Sequence, residues 1–246
     1  MSEPITWMPD GTPYSSRFGD RYHSEFGGLD QARQVFLGGC DLPAAWADAA
    51  QWRILETGFG FGLNFLVTWA AWKADPKRPR ILHFVSVEAY PVSREDLLAF
   101  LPADEELRPL GEQLAEQWWG LLPGVHRLSF DDGQVLLTLH IGDARTMLRK
   151  QQMTADSVYL DGFSYFNRQE ESILELVLRQ AESVTVTLLG DRSSDRLFQN
   201  ALRQRMRLER MARRAGQEMD VLWCESRGQG PLGHLEAHFF GQEVPY

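Results

Sequence analysis

Three features of the sequence predict an α/β fold built on a mostly parallel sheet. An apolar strand around Ile54 and Leu55 runs into a glycine-rich turn and leaves it in an apolar helix opening at Leu63. A second strand, Ile81 to Glu88, follows that helix and completes a β-loop-α-β unit. Further strands end in acidic residues, at Gly142-Asp143 and at Asp161. Ligands of open α/β sheets bind outside these C-terminal strand ends.

The elements can be justified in chain order. Residues 1-50 form an N-terminal extension packed on the core, with turn chemistry at Pro9-Asp10-Gly11 and Gly27-Gly28 and with interspersed aromatics. It holds a predicted helix from Leu29 to Leu37, stopped by Gly38-Gly39, and a second from Pro43 to Ala50. Residues 51-246 form the main domain. After the first β-loop-α-β unit, Ser93 to Trp119 reads as helical, and the strands Val125 to Phe130 and Val135 to Ile141 flank the reversal Asp131-Asp132-Gly133. A short helix from Arg145, a strand Ser157 to Phe163, a helix Glu170 to Gln180 and a β-branched strand Ser183 to Leu189 come next. A helix from Ser193 to Met206, capped by Ser193 or Ser194, precedes three closing strands: Leu208 to Arg214, Val221 to Glu225 and His234 to Phe240.

With 246 residues, of which 43% are hydrophobic, the chain can bury one substantial core. Its longest apolar run, Leu63 to Trp72, is too short to span a bilayer and is followed by Lys73, Asp75 and Lys77. The start Met1-Ser2-Glu3-Pro4 carries no basic-then-apolar leader, so no membrane association and a cytoplasmic location are expected. Cys40 and Cys224 are too few for a disulfide framework or a zinc cluster, and no metal site is expected. A net charge of -9 argues against coating nucleic acid through bulk positive charge. The arginines between Arg203 and Arg214 are nevertheless concentrated in one short region, which by itself reads as a solvated helix face followed by a strand.

The turn after the first strand carries the chemistry. It reads Glu56-x-Gly58-x-Gly60-x-Gly62, in place of the Gly-x-Gly-x-x-Gly that seats a pyrophosphate on a helix N-terminus. A carboxylate entering this loop repels a pyrophosphate and suits the cationic methionine end of S-adenosyl-L-methionine. The bland alternative is a tight βα turn that needs glycines for its backbone alone. Glu88, at the end of the second strand, is placed to accept both hydroxyls of a ribose; the alternative is an exposed strand-end carboxylate. The pattern resembles the first motif of class I methyltransferases, which implies a Rossmann-like, mostly parallel sheet with an antiparallel closing strand. In that class a Gly-Asp such as Gly142-Asp143 often contacts the adenine amino group, although the pair is also common at helix caps.

Longer strings resemble one family. Gly11-Thr12-Pro13-Tyr14-Ser15, Gly28 to Gly39, Glu56 to Phe65, His83 to Glu88, Leu122 to Leu128 and Tyr159-Leu160-Asp161-Gly162-Phe163 are similar to the methyltransferase domain of MnmC, which also exists alone as MnmD. The resemblance implies an N-methyltransferase that uses S-adenosyl-L-methionine on the 5-aminomethyl group of a tRNA wobble (2-thio)uridine. It implies Glu56, Gly58, Gly60, Gly62 and Asn64 at the methionine end, Glu88 on the ribose, Asp143 near the adenine and Asp161 as the catalytic residue beside the accepting amine. Phe163 and Tyr165 are expected to contact the substrate base, and Arg213 and Arg214 its phosphates. Because the chain ends at Tyr246, the family's oxidase domain is expected to be absent. A separate oxidase or other tRNA-modification enzymes are then expected partners.

The chain departs from the family just after Asp161, where it reads Ser164-Tyr165-Phe166-Asn167-Arg168 in place of Ala-Pro and a Lys-Asn-Pro string. Gln34 replaces a usual Tyr, and Gly190-Asp191-Arg192-Ser193 replaces Thr-Ser-Ala-Gly. Two alternatives follow. One is a diverged methyltransferase acting on a small-molecule or protein amine, and the other is a non-catalytic partner-binding protein of the same fold.

Overall fold

The structure is a computed structural model that describes residues 3–22, 28–102, 104–150, 154–156, 158–160, 168–186, 188 and 199–221. The chain opens with a small antiparallel sheet of β1 (Ile5–Trp7), β2 (Pro13–Ser15) and β3 (Asp20–Arg21), in that order. A helix, α1 (Gly28–Gln31), continues as a π-helical stretch over Ala32–Leu37 that delivers Ala32 and Phe36 to the core.

The central sheet runs in the order β4-β5-β7-β6, from β4 (Gln51–Thr57), β5 (Ile81–Glu88), β6 (Gly124–Phe130) and β7 (Val135–Ile141). Strands β4, β5 and β7 are parallel. Among the described residues, the antiparallel member of this sheet is β6, the first strand of the Asp131–Gly133 hairpin. A parallel pair, β8 (Val158–Leu160) and β9 (Val184–Val186), lies beyond β4. It is joined there by the Arg53 guanidinium and the Asp156 carboxylate at 2.9 Å, and by Asp156 N–H donating to the Arg53 carbonyl at 2.9 Å.

Both faces of the sheet are covered at its centre, which explains why β5 and β7 read as apolar runs, while the edge strand β6 alternates. On one face Ile54, Leu82, Phe84, Leu137 and Leu139 pack with α2 (Leu63–Ala74), α3 (Arg94–Phe100) and α4 (Leu107–Gln117). On the other, Leu55, Val85 and Val87 meet α5 (Ala144–Lys150) and α6 (Arg168–Gln180). A final helix, α7 (Gln199–Ala215), sets Leu208 and Met211 against Leu174 and Leu178 of α6. Among the described residues no helix is long and apolar enough to cross a membrane.

Three expectations need correction. Leu208 to Arg214 is the second half of α7 and not a strand: Leu208, Met211 and Ala212 are buried at spacings of three and four, while Arg207, Arg210, Arg213 and Arg214 face solvent. The helix expected from Pro43 to Ala50 shrinks to one 3-10 turn, Ala44–Trp46, because Asp48 takes a positive φ of 63° and gives its N–H to the Lys77 carbonyl. The segment Ser93 to Trp119 is two helices, broken at Leu101, which precedes a proline and takes a non-helical ψ of 126°. The expected strands Val221 to Glu225 and His234 to Phe240 lie outside the described residues apart from Val221, and so do Ser193 and Ser194.

Candidate active site

The C-terminal ends of β4, β5 and β7 meet at the glycine loop. Gly58 N–H donates to the Val87 carbonyl at 2.7 Å, and Gly142 N–H donates to the Glu88 carbonyl at 2.9 Å, so the three strand exits are stitched into one edge. The loop turns because Gly58, Gly60 and Gly62 all take positive φ, at 88°, 54° and 73°. A side chain added at Gly58 would meet nothing within 4 Å. At Gly62 it would lie 2.7 Å from the Phe59 ring. The loop is thus backed by protein at Gly62 and open at Gly58.

Glu56 is buried at the end of β4, and its two carboxylate oxygens have separate donors. Asn64, in the first turn of α2, gives Nδ2–H to Oε1 at 2.9 Å, and the Ser86 hydroxyl donates to Oε2 at 2.8 Å. Both donors are neutral, and among the described residues no cation pairs with Glu56. Burial pushes its carboxyl up to about 7 against the pull of these two hydrogen bonds. A buried carboxylate without a counter-cation beside an open glycine turn fits the α-ammonium of a methionine moiety.

Glu88 accepts from two backbone donors, Gly60 N–H at 3.1 Å on Oε2 and Tyr90 N–H at 2.8 Å on Oε1. It is therefore fixed in direction at the mouth of the same loop. Asp143 stands beside it at the exit of β7, but its carboxylate caps α5: Oδ1 accepts from the backbone N–H of Thr146 at 3.1 Å and from its hydroxyl at 2.9 Å. These bonds hold Asp143 below the usual carboxylate range. The capping alternative thus describes one of its oxygens, while its backbone still lines the edge.

The structure brings Glu56, Gly58, Gly60, Gly62, Asn64, Glu88 and Asp143 together. It does not bring Arg213 and Arg214 to them. These arginines sit one turn before Gln217, whose amide donates to the carbonyls of Leu178 and Ala181, at the edge where β9 begins. Arg214 faces Glu175 at 3.9 Å and Arg213 pairs with Glu209. Arg207, midway along α7, bonds Glu171, in the first turn of α6, at 3.0 Å. Asp161, Phe163 and Tyr165 lie outside the described residues.

Sequence reasoning missed two side chains of the site. Ser86 is polar within an apolar strand, and it matters because the parallel register sets it directly opposite Glu56. Tyr22 lies against the loop, with a ring carbon 3.4 Å from where a Gly60 Cβ would be. Burial, and then the carboxylates of Glu3, Glu88 and Asp96, push its phenol upward, so the hydroxyl remains protonated.

Comparison with known proteins bears on the fold and the family. A family model described as S-adenosyl-L-methionine-dependent methyltransferase matches residues 105–173. A second, described as ADDB, N-terminal, matches residues 142–236, and neither match reaches the glycine loop or Glu88. The bifunctional protein MnmC of Delftia acidovorans, named for tRNA 5-methylaminomethyl-2-thiouridine biosynthesis, is 74% identical over 164 residues, or 67% of this chain and 25% of that protein. The MnmC of an Acidovorax strain is 72% identical over 163 residues, 66% of this chain and 26% of that protein. The chain therefore spans about a quarter of the length of these curated relatives. The crystal structure of MNMC2 from Aquifex aeolicus superposes with a TM-score of 0.55 at 21% identity, covering 75% of this chain and 60% of that one, which supports the fold.

Fold and site together define a class I methyltransferase whose cofactor is S-adenosyl-L-methionine. Within that class the identity over its N-terminal two thirds is specific, and the chain belongs to the family of the MnmC methyltransferase domain.

Proposed function

We propose that this protein methylates the 5-aminomethyl nitrogen of a tRNA wobble (2-thio)uridine in the cytoplasm. The 74% identity to a protein named for that pathway carries the reading, since the matched two thirds of the chain contain the Glu56 to Glu88 site. S-adenosyl-L-methionine, when bound, supplies a methyl group on a sulfonium. Glu56 with Asn64 would hold the methionine ammonium, the open backbone at Gly58 would admit the chain close to the loop, and Glu88 would take the ribose hydroxyls. The backbone at Asp143 would border the adenine.

The amine attacks as a neutral nucleophile: an N–C bond forms, the S–C bond breaks with its electron pair left on sulfur, and the nitrogen sheds a proton. Positioning accounts for much of such a reaction. We assign Asp161 to orient the amine and receive that proton, and Phe163 and Tyr165 to flank the base. For phosphate contact, the first half of α7, which carries Arg203, suits the reading better than Arg213 and Arg214. The test is transfer of labelled methyl to undermodified tRNA by the pure protein. Absence of transfer, with a working MnmC control, overturns the assignment.

A second reading, methylation of a small-molecule or protein amine, is favoured by the placement of Arg213 and Arg214 away from the strand exits. A labelled product in an RNA-free extract, with none on tRNA, would select it. A protein that binds S-adenosylhomocysteine but transfers nothing to either would leave the non-catalytic alternative.

A further inference from the structure

The N-terminal sheet touches the cofactor edge at two points, and both lie on groups that donate to Glu88. Tyr22, just after β3, presses on Gly60, and its ring meets Phe61 edge-on with centroids 4.8 Å apart. Arg17, between β2 and β3, sets its guanidinium carbon 4.0 Å from the centre of the Tyr90 ring, and Phe18 lies 6.0 Å from the same ring. Gly60 and Tyr90 are the residues whose N–H groups hold the two oxygens of Glu88.

Arg17 is itself fixed from inside the sheet. The buried Glu3 carboxylate accepts from Arg17 Nε at 2.9 Å and from the Ser15 hydroxyl at 2.6 Å. Glu3 also joins the segment after β5, its N–H donating to the Pro91 carbonyl at 3.1 Å. Glu3, Arg17, Tyr90 and Glu88 thus form a continuous line from a buried anion to the cofactor mouth. Tyr90 is partly exposed, so its ring depends on neighbours to hold the turn that follows Glu88.

We infer that Arg17 is a positioning residue for the cofactor ribose, acting through Tyr90 on Glu88, so that the N-terminal sheet belongs to the binding site. The inference rests on the reading that Glu88 receives the ribose hydroxyls. A cation over an aromatic face draws the ring toward itself, and the backbone of Tyr90 moves with its ring. Releasing the ring loosens one of the two donors that aim Glu88.

The test is calorimetry of the full chain with two probes, S-adenosylhomocysteine and its 2′,3′-dideoxyribose analogue, with thermal unfolding of each variant measured alongside. Arg17→Gln should weaken S-adenosylhomocysteine about threefold, the effect of an exposed cation–π contact, and leave the 2′,3′-dideoxy analogue, which offers Glu88 no hydroxyl, unchanged. Arg17→Lys, which keeps a cation, should recover most of the loss. Equal weakening of both probes, or no weakening, overturns the inference. If Arg17→Gln lowers the melting temperature, Tyr90→Leu at the exposed end of the line is measured instead and must show the same selectivity. Wild-type protein that ignores both probes overturns the cofactor reading and this inference with it, whereas equal weakening of both probes, with wild type binding them, overturns this inference alone.

Discussion

Glu56 and Ser86 face each other directly across β4 and β5, and the serine hydroxyl donates to the buried carboxylate at 2.8 Å. Among the described residues this acid in the protein interior has neutral partners alone, and its titration should shape the pH response of the site.

The Glu56 carboxyl titrates near 7 in the folded chain and near 4.5 when unfolded. Its folded form therefore binds more protons across that interval, and stability must fall as pH rises from about 4.5 to about 7, by on the order of 3 kcal/mol at most. Glu56→Gln removes the ionisation and should raise the melting temperature at pH 8 relative to wild type. The same substitution should abolish measurable S-adenosyl-L-methionine binding.

A cationic ligand favours the ionised form of Glu56, so binding below pH 7 must expel a proton. Affinity for S-adenosyl-L-methionine should rise between pH 5.5 and 7.5, approaching about tenfold per pH unit at the acid end. Calorimetry across that range checks the slope, and Ser86→Ala, which removes a donor to the carboxylate, should shift the rise to higher pH.

Gly58 and Gly62 should fail differently. Gly58→Ala adds a methyl group to open space at a φ of 88°, so it should lose cofactor affinity at a stability loss of about 1 kcal/mol. Gly62→Ala drives the methyl group into the Phe59 ring, and should lower the melting temperature more than Gly58→Ala does.

Asp161→Asn should lower the turnover number about 100-fold or more, the usual range for a lost proton acceptor, with cofactor affinity kept. Single-turnover methylation at saturating cofactor is the measurement.

The two ends of α7 should separate in RNA binding. Arg203→Gln should weaken tRNA and reduce the salt slope by about one unit, as the loss of a phosphate contact does. Arg213→Gln should change neither, since that end lies by Gln217 and the start of β9.

The cofactor half of the site was legible because its signals are local. Glu56, the three glycines and Asn64 lie within nine residues of chain, and the hairpin at Asp131–Gly133 declares itself through its own turn. Ser86 was not legible, because a strand read alone gives no register against its neighbour. Tyr22 was not, because nothing in the loop announces what packs behind it. The error at Leu208 to Arg214 has a simple cause. Arginines adjoin nearly every apolar residue there, which imitates alternation, whereas Leu208, Met211, Ala212 and Ala215 follow the helical period. Asp143 was legible as a strand-end acid, but its capping of α5 depends on Thr146, and the two readings share one residue.

The buried Glu56 carboxylate, with no cationic partner among the described residues, also bears on how long the protein survives. A ligand that neutralises it binds the folded chain and not the unfolded one, so occupancy at a hundred times the dissociation constant would add about 2.7 kcal/mol against unfolding. Starvation for S-adenosyl-L-methionine would then thin the pool of this protein through proteolysis of opened molecules. Methylation capacity would decline along with the supply of methyl donor.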